Sequence, residues 1–93
     1  MTIEEMYQKL LEEARNPDHE MYDAYRSAII SDIDEVLEDM PKEAHDAVLP
    51  FNFKERMDYI LSRPYQYHSI IQLKALHDEF RKKYASYRIR KRT

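Results

Sequence analysis

A chain of 93 residues without one glycine has few folds open to it. Glycine supplies the left-handed backbone of tight hairpin turns. It also allows the close backbone approach of phosphate loops, nucleotide-binding fingerprints and nucleophile elbows. Its absence argues against a β fold and against those chemistries. What remains is a sequence cut into helical lengths by four prolines and several capping residues.

Thr2 and Glu5 match a capping box, and Ile3, Met6, Tyr7, Leu10, Leu11 and Ala14 recur at the spacing of one helix face. Asn16 and Pro17 read as the cap and first-turn proline of a second helix over residues 17–40. Its stripe is Tyr22, Tyr25, Ile29, Ile33, Val36 and Met40, widened by Met21, Ala28, Ile30 and Leu37, enough to touch two neighbours. Pro41 opens a short helix over residues 42–49, which Pro50 limits. Asn52 and Glu55 form a cap signature for a helix over 53–62 with Phe53, Met57, Ile60 and Leu61 turned inward. The Arg63-Pro64 step ends it. A last helix over 65–87 aligns Ile70, Leu73, Leu76, His77, Phe80, Tyr84 and Tyr87, leaving Tyr67, Ile71, Ala75 and Ile89 on its outer side for another helix or an interface.

The expectation is an all-α chain: a compact bundle of four to five helices in antiparallel hairpins, with no sheet. Residues 1–88 make one domain, and residues 89–93 a basic, flexible tail. A domain of this length buries a little over ~60% of its unfolded surface, so a partner or a second copy would add usefully to its stability.

No cysteine is present, which excludes disulfides and thiolate chemistry. His19, His45, His68 and His77 stand in no metal-ligand spacing, so neither a metal nor a cofactor is expected. The paired acids Glu12-Glu13 and Asp34-Glu35 are sequence neighbours that diverge on a helix, so no acid/base dyad is indicated. No apolar run approaches a membrane span, and the first residues lack the basic and apolar regions of a signal peptide. A cytoplasmic, non-enzymatic protein is the expected class.

The charge is divided along the chain. Residues 1–50 hold 14 acids and 4 bases, and residues 51–93 hold 4 acids and 11 bases. Between Arg81 and Thr93 there are seven cations and no acid. Two surfaces follow. The outer face of the second helix carries Glu20, Asp23, Asp34, Glu35 and Glu38, with Ser27 and Ser31 between them, a pattern suited to a basic partner protein. The basic half offers Arg56, Tyr59 and Arg63, together with Arg88, Arg90, Lys91 and Arg92, as nucleic-acid contacts. The plain alternative is that acids and bases meet within the fold, as antiparallel packing of the two long helices would allow, or are simply solvated.

Arg63 and His68 form an Arg-x4-His spacing that resembles the motif of HEPN-type ribonucleases, which implies RNA cleavage. Pro64 departs from that motif, where a polar residue is usual. The stretch Leu-Lys-Ala-Leu-His-Asp-Glu-Phe-Arg at residues 73–81 is similar to a helix of the epsilon antitoxins, and the helical organisation with a basic end is similar to that of bacteriocin immunity proteins. No functional residue is carried over from any of these. The leading expectation is a small regulatory or inhibitory protein, of the phage-modulator, antitoxin or immunity type, that binds another protein through the acidic helical face. The alternatives are a nucleic-acid-binding protein and a structural homo-oligomer such as a homodimer.

Overall fold

The first helix begins where its capping box places it. In the computed structural model, which describes residues 2–13, 19–62 and 67–92, the Glu5 amide donates to Thr2 Oγ1 at 3.1 Å and the Thr2 amide to Glu5 Oε1 at 3.2 Å. The backbone hydrogen bond from Thr2 holds the Glu5 carboxyl below its ordinary range. Helix α1 spans Ile3–Glu12 and buries Met6 and Leu10. Ala14 and the Asn16-Pro17 start signal lie outside the described residues.

Helix α2 spans His19–Glu38. It buries Tyr22, Tyr25, Ile29 and Ile33, as its stripe requires. Beyond Glu38 the Asp39 and Met40 amides bond the carbonyls of Val36 and Leu37, at 3.2 and 3.1 Å, an i to i+3 tightening that ends the helix before Pro41. The helix expected at 42–49 divides into a 3-10 turn, Lys42–Ala44, and a single α turn, α3, His45–Val48. His45 Nε2 lies 2.9 Å from the Leu37 carbonyl and ties this turn to the end of α2. Helix α4 spans Phe53–Leu61. The Asn52 cap signature is corrected: Asn52 makes no side-chain cap bond and takes the left-handed conformation instead, φ 53° and ψ 37°. Asparagine tolerates that region better than most residues, so here it does a turn's work in place of glycine.

Helix α5 spans Tyr67–Arg92. It buries Ser69, Ile70, Leu73, Leu76 and Phe80 along its length. The residues read as a tail from position 89 continue the helix to Arg92. Nothing between Tyr87 and Arg92 breaks a helix, and cations are favoured at its C-terminal end. The described residues form five α-helices and no strand.

The direction of the two long helices decides where the charges fall. The Tyr25 hydroxyl donates to the Ile70 carbonyl at 3.0 Å, and Asp32 Oδ2 lies 2.6 Å from His77 Nε2. Seven residues along α2 match seven along α5, so the pair runs parallel. Helix α1 runs against both: Glu4 meets Lys74 at 3.1 Å, while Tyr7 stacks on Tyr25 at 6.3 Å. Helix α4 also opposes α5, with Arg56 on Glu79 at 3.0 Å and Ile60 beside Gln72 and Leu76. Two antiparallel hairpins are thus set side by side, with α3 packed against α5 between them. The result is elongated, 47 × 25 × 17 Å.

Candidate functional site

Helix α2 sorts its carboxylates by face. Asp32 lies on the edge of the apolar stripe, between Ile29 and Ile33, and is half-buried against α5. It takes His77 at 2.6 Å and Arg81 Nε at 3.6 Å. Glu20, Asp23, Asp34, Glu35 and Glu38 are all exposed on the other side. Asp23 pairs locally with Arg26 at 3.3 Å. Glu20 sits in the first turn, where the helix dipole favours an acid.

The last turns are different. Asp34, Glu35 and Glu38 make no hydrogen bond or ion pair with any described residue, and the last turn of α2 holds no basic residue. Asp34 and Glu38 are four apart, as are Glu35 and Asp39. Like charges at that spacing repel, and all of them oppose the dipole at a helix C-terminus. Exposed Asp39, Glu43 and Asp46 extend the acid into the following turn. The five expected residues therefore share a face without forming one patch: about 27 Å of helix separates Glu20 from Glu38.

A contrast follows. Asp32→Ala should destabilise the fold by about 1–2 kcal/mol, because the half-buried His77 loses its hydrogen-bond partner and the exposed Arg81 loses its ion pair. Asp34→Ala should leave stability unchanged or slightly raised. Denaturant unfolding of the two variants measures the difference.

The basic residues do not come together as one surface. Arg56 is engaged inside the fold, its Nη1 donating to Glu79 and to the Phe51 carbonyl at 3.0 Å each. Tyr59 is exposed on the rim of a groove of about 300 Å³ between α4 and α5. In that groove Gln72 Oε1 is buried and accepts no hydrogen bond from any described residue. Arg63 lies outside the described residues. Arg88 stacks over Tyr84 with its guanidinium 5.7 Å from the ring centre. Arg90, Lys91 and Arg92 are in the last turns of α5, about 16 Å or more along the axis from Glu79, where Arg56 docks.

Arg90 lines a second groove, with Ala47, Lys82, Lys83, Ser86 and Tyr87. Neither Asp32 nor the set around Lys82 stood out in the sequence. Asp32 was legible as a carboxylate at the border of an apolar stripe, but the Lys82 groove needed the position of α3. His68, the second residue of the ribonuclease-like spacing, is exposed at the start of α5. Lys74 bridges helices: partial burial pulls its ammonium down, but hydrogen bonds to Asp78 and Glu4 outweigh this and leave it above its ordinary value.

Among the described residues no group of three or more His, Cys, Asp or Glu side chains is placed to hold a metal ion. Among them too, no helix is long and apolar enough to cross a membrane.

A family model described as YpoC-like protein matches residues 2–92. The chain belongs to the YpoC-like family. The match runs from the capping box of α1 to the last turn of α5, so the whole five-helix arrangement is the unit that carries the YpoC-like family character. No curated protein matches the chain, and no solved structure matches it.

Proposed function

We propose that this YpoC-like chain is a non-enzymatic regulatory or inhibitory protein that binds a basic surface of another protein through the acidic end of α2. One observation carries the reading. Asp34, Glu35 and Glu38 are exposed and unpaired among the described residues, at the helix end where their charge is least favourable. The fold gains nothing from them, while Asp32, two residues earlier, is drawn into the core network. A cationic partner would relieve both the repulsion and the dipole penalty. A phage-modulator, antitoxin or immunity-type role is the finer form of the same proposal.

The test is charge reversal. Glu35→Lys with Glu38→Lys turns two acid–acid pairs four residues apart into acid–base pairs and reverses the sign at the dipole. The double variant should be more stable by about 1 kcal/mol, with Tm raised by about 4–8 °C. It should also lose the partner that the wild-type chain captures from source-cell extract and cross-links near residues 34–39. Undiminished capture by the stabilised variant would overturn the reading. A fall in Tm would show that these acids serve the fold.

A further inference from the structure

Exposed apolar residues gather around one groove. Among the described residues the large exposed ones are Phe51, Tyr59, Ile71 and Ile89. Three of them bracket the groove of about 300 Å³ between α4 and α5. Tyr59 lines it, and so does Ala75, one turn after Ile71 on the same edge of α5. Buried Ile60 and Leu76 make its floor apolar. Phe51 stands just outside. It lines a neighbouring groove that shares Asn52 and Glu55 with the first, so these two residues form the ridge between Phe51 and the hollow. Single exposed apolar residues are ordinary, but a cluster beside a hollow marks an interface.

Phe51 is presented on a fixed turn. Its side chain is 75% exposed, yet three hydrogen bonds hold the backbone beneath it. The Phe53 amide donates to the Pro50 carbonyl at 3.1 Å, Arg56 Nη1 to the Phe51 carbonyl at 3.0 Å, and Lys83 Nζ to the Leu49 carbonyl at 3.2 Å. A ring held in this way loses little freedom on binding. The charges beside it are of both signs. Lys54 and Glu55 are sequence neighbours, both exposed, and neither side chain makes an ion pair with any described residue.

We propose that this face binds a second copy of the chain, in a two-fold dimer where Phe51 of each copy enters the α4–α5 groove of the other. A two-fold interface must carry a projection and its receptor on the same surface. Phe51 and the hollow, one on each side of a ridge, meet that condition. The charges meet it too. Two α4 helices crossing antiparallel between residues 54 and 55 set Lys54 of each copy against Glu55 of the other. A partner of one charge sign would instead leave either Lys54 or Glu55 opposed by its own sign. Helix α4 is only about 13 Å long, so the contact is small and the dimer concentration-dependent. The acids at the end of α2 take no part in it. A monomeric chain would therefore leave the proposed function intact, and Glu35→Lys with Glu38→Lys should dimerise as the wild type does.

Sedimentation equilibrium of the full chain tests this. Between about 1 μM and about 1 mM the mass should rise from 11.4 kDa towards twice that value. Phe51→Asp, which alters an exposed side chain and should keep the wild-type circular dichroism, should weaken the dimer at least about tenfold. Ala75→Arg, which fills the hollow from its exposed edge, should do the same. Ile89→Asp, the control at an exposed apolar residue in the last turns of α5, should dimerise like the wild type. The ridge is tested by exchange of charge. Lys54→Glu sets acids against acids and should weaken the dimer, and Lys54→Glu with Glu55→Lys restores opposite pairs and should recover it. A chain that stays monomeric to about 1 mM would overturn the proposal. So would a dimer indifferent to Phe51→Asp, or a double exchange that fails to recover association.

Discussion

Tyr25→Ala is expected to remove about 3–5 kcal/mol of stability, a large part of the roughly 5–14 kcal/mol available to a chain of this length. Tyr25 is fully buried where three helices meet. Its ring stacks on Tyr7 of α1, and its hydroxyl donates to the Ile70 carbonyl of α5. The alanine variant should show a broadened, low-temperature melt by circular dichroism.

Tyr25→Phe separates the ring from the hydroxyl. At neutral pH it should cost about 1 kcal/mol, the net worth of one buried hydrogen bond. Alkaline pH changes the comparison. Burial holds the Tyr25 phenol well above its ordinary value of 10.0, and burial raises Tyr22 as well, against the opposing hydrogen bond with Ser69. The unfolded chain therefore releases these protons near pH 10 while the native chain keeps them. Stability is undiminished below that pH and falls above it, by about 1.4 kcal/mol per pH unit for Tyr25, and Tyr22 adds in the same direction. Phenylalanine removes the Tyr25 share of that slope. Urea titrations at pH 7 and pH 11 should show the wild type ahead at the first and its lead gone at the second. A constant gap would mean that the hydroxyl is reachable by solvent.

The second large effect is at Phe80. It is fully buried in α5 and lies parallel to Tyr84, with ring centres 6.4 Å apart. Phe80→Ala should cost about 3–5 kcal/mol, and Phe80→Leu, which keeps most of the volume, under about 1.5 kcal/mol. The loss should be felt unevenly. The turn at α3 is a single helical turn anchored by Val48 and by the Lys83 bond to Leu49. Hydrogen exchange should accelerate there before it does in the shared region of α2 and α5. Uniform acceleration would show instead that the domain opens as one unit.

The helices could be read from the sequence because their evidence is local. The stripe through Tyr22, Tyr25, Ile29 and Ile33 is buried as its spacing requires, and the Thr2–Glu5 box forms with both of its hydrogen bonds. Asn52 illustrates the limit of local signals. The residue that caps helices well also tolerates left-handed backbone, and the geometry of the turn after Pro50 selected the second use. The end of α5 was misplaced because a run of cations reads equally as a solvated tail or as a favourable helix terminus.

The candidate surfaces were legible only in part. Exposure of Glu20, Asp23, Asp34, Glu35 and Glu38 followed from their position opposite the apolar stripe. The internal use of Asp32 and Arg56 did not, because it depends on which helix faces which and in what direction. Parallel packing of α2 and α5 is a property of the return path through α3 and α4, and no periodicity within either helix encodes it. The same packing brings the surplus acid of α2 to the end of the molecule that holds the cations of α5, although sequence places them at opposite ends.

Helix α5 touches each of the other four helices. It is also the last to be synthesised. Until it has left the ribosome, the apolar faces of α2 and α4 lack the surface that buries them, and Tyr25 lacks the carbonyl that accepts its proton. The α1–α2 hairpin can form early from neighbouring residues, but the bundle closes only through contacts some 45 residues apart in the chain. Folding of this domain is therefore completed after α5 emerges, and a nascent chain stalled before that point would present an apolar face to chaperones and proteases.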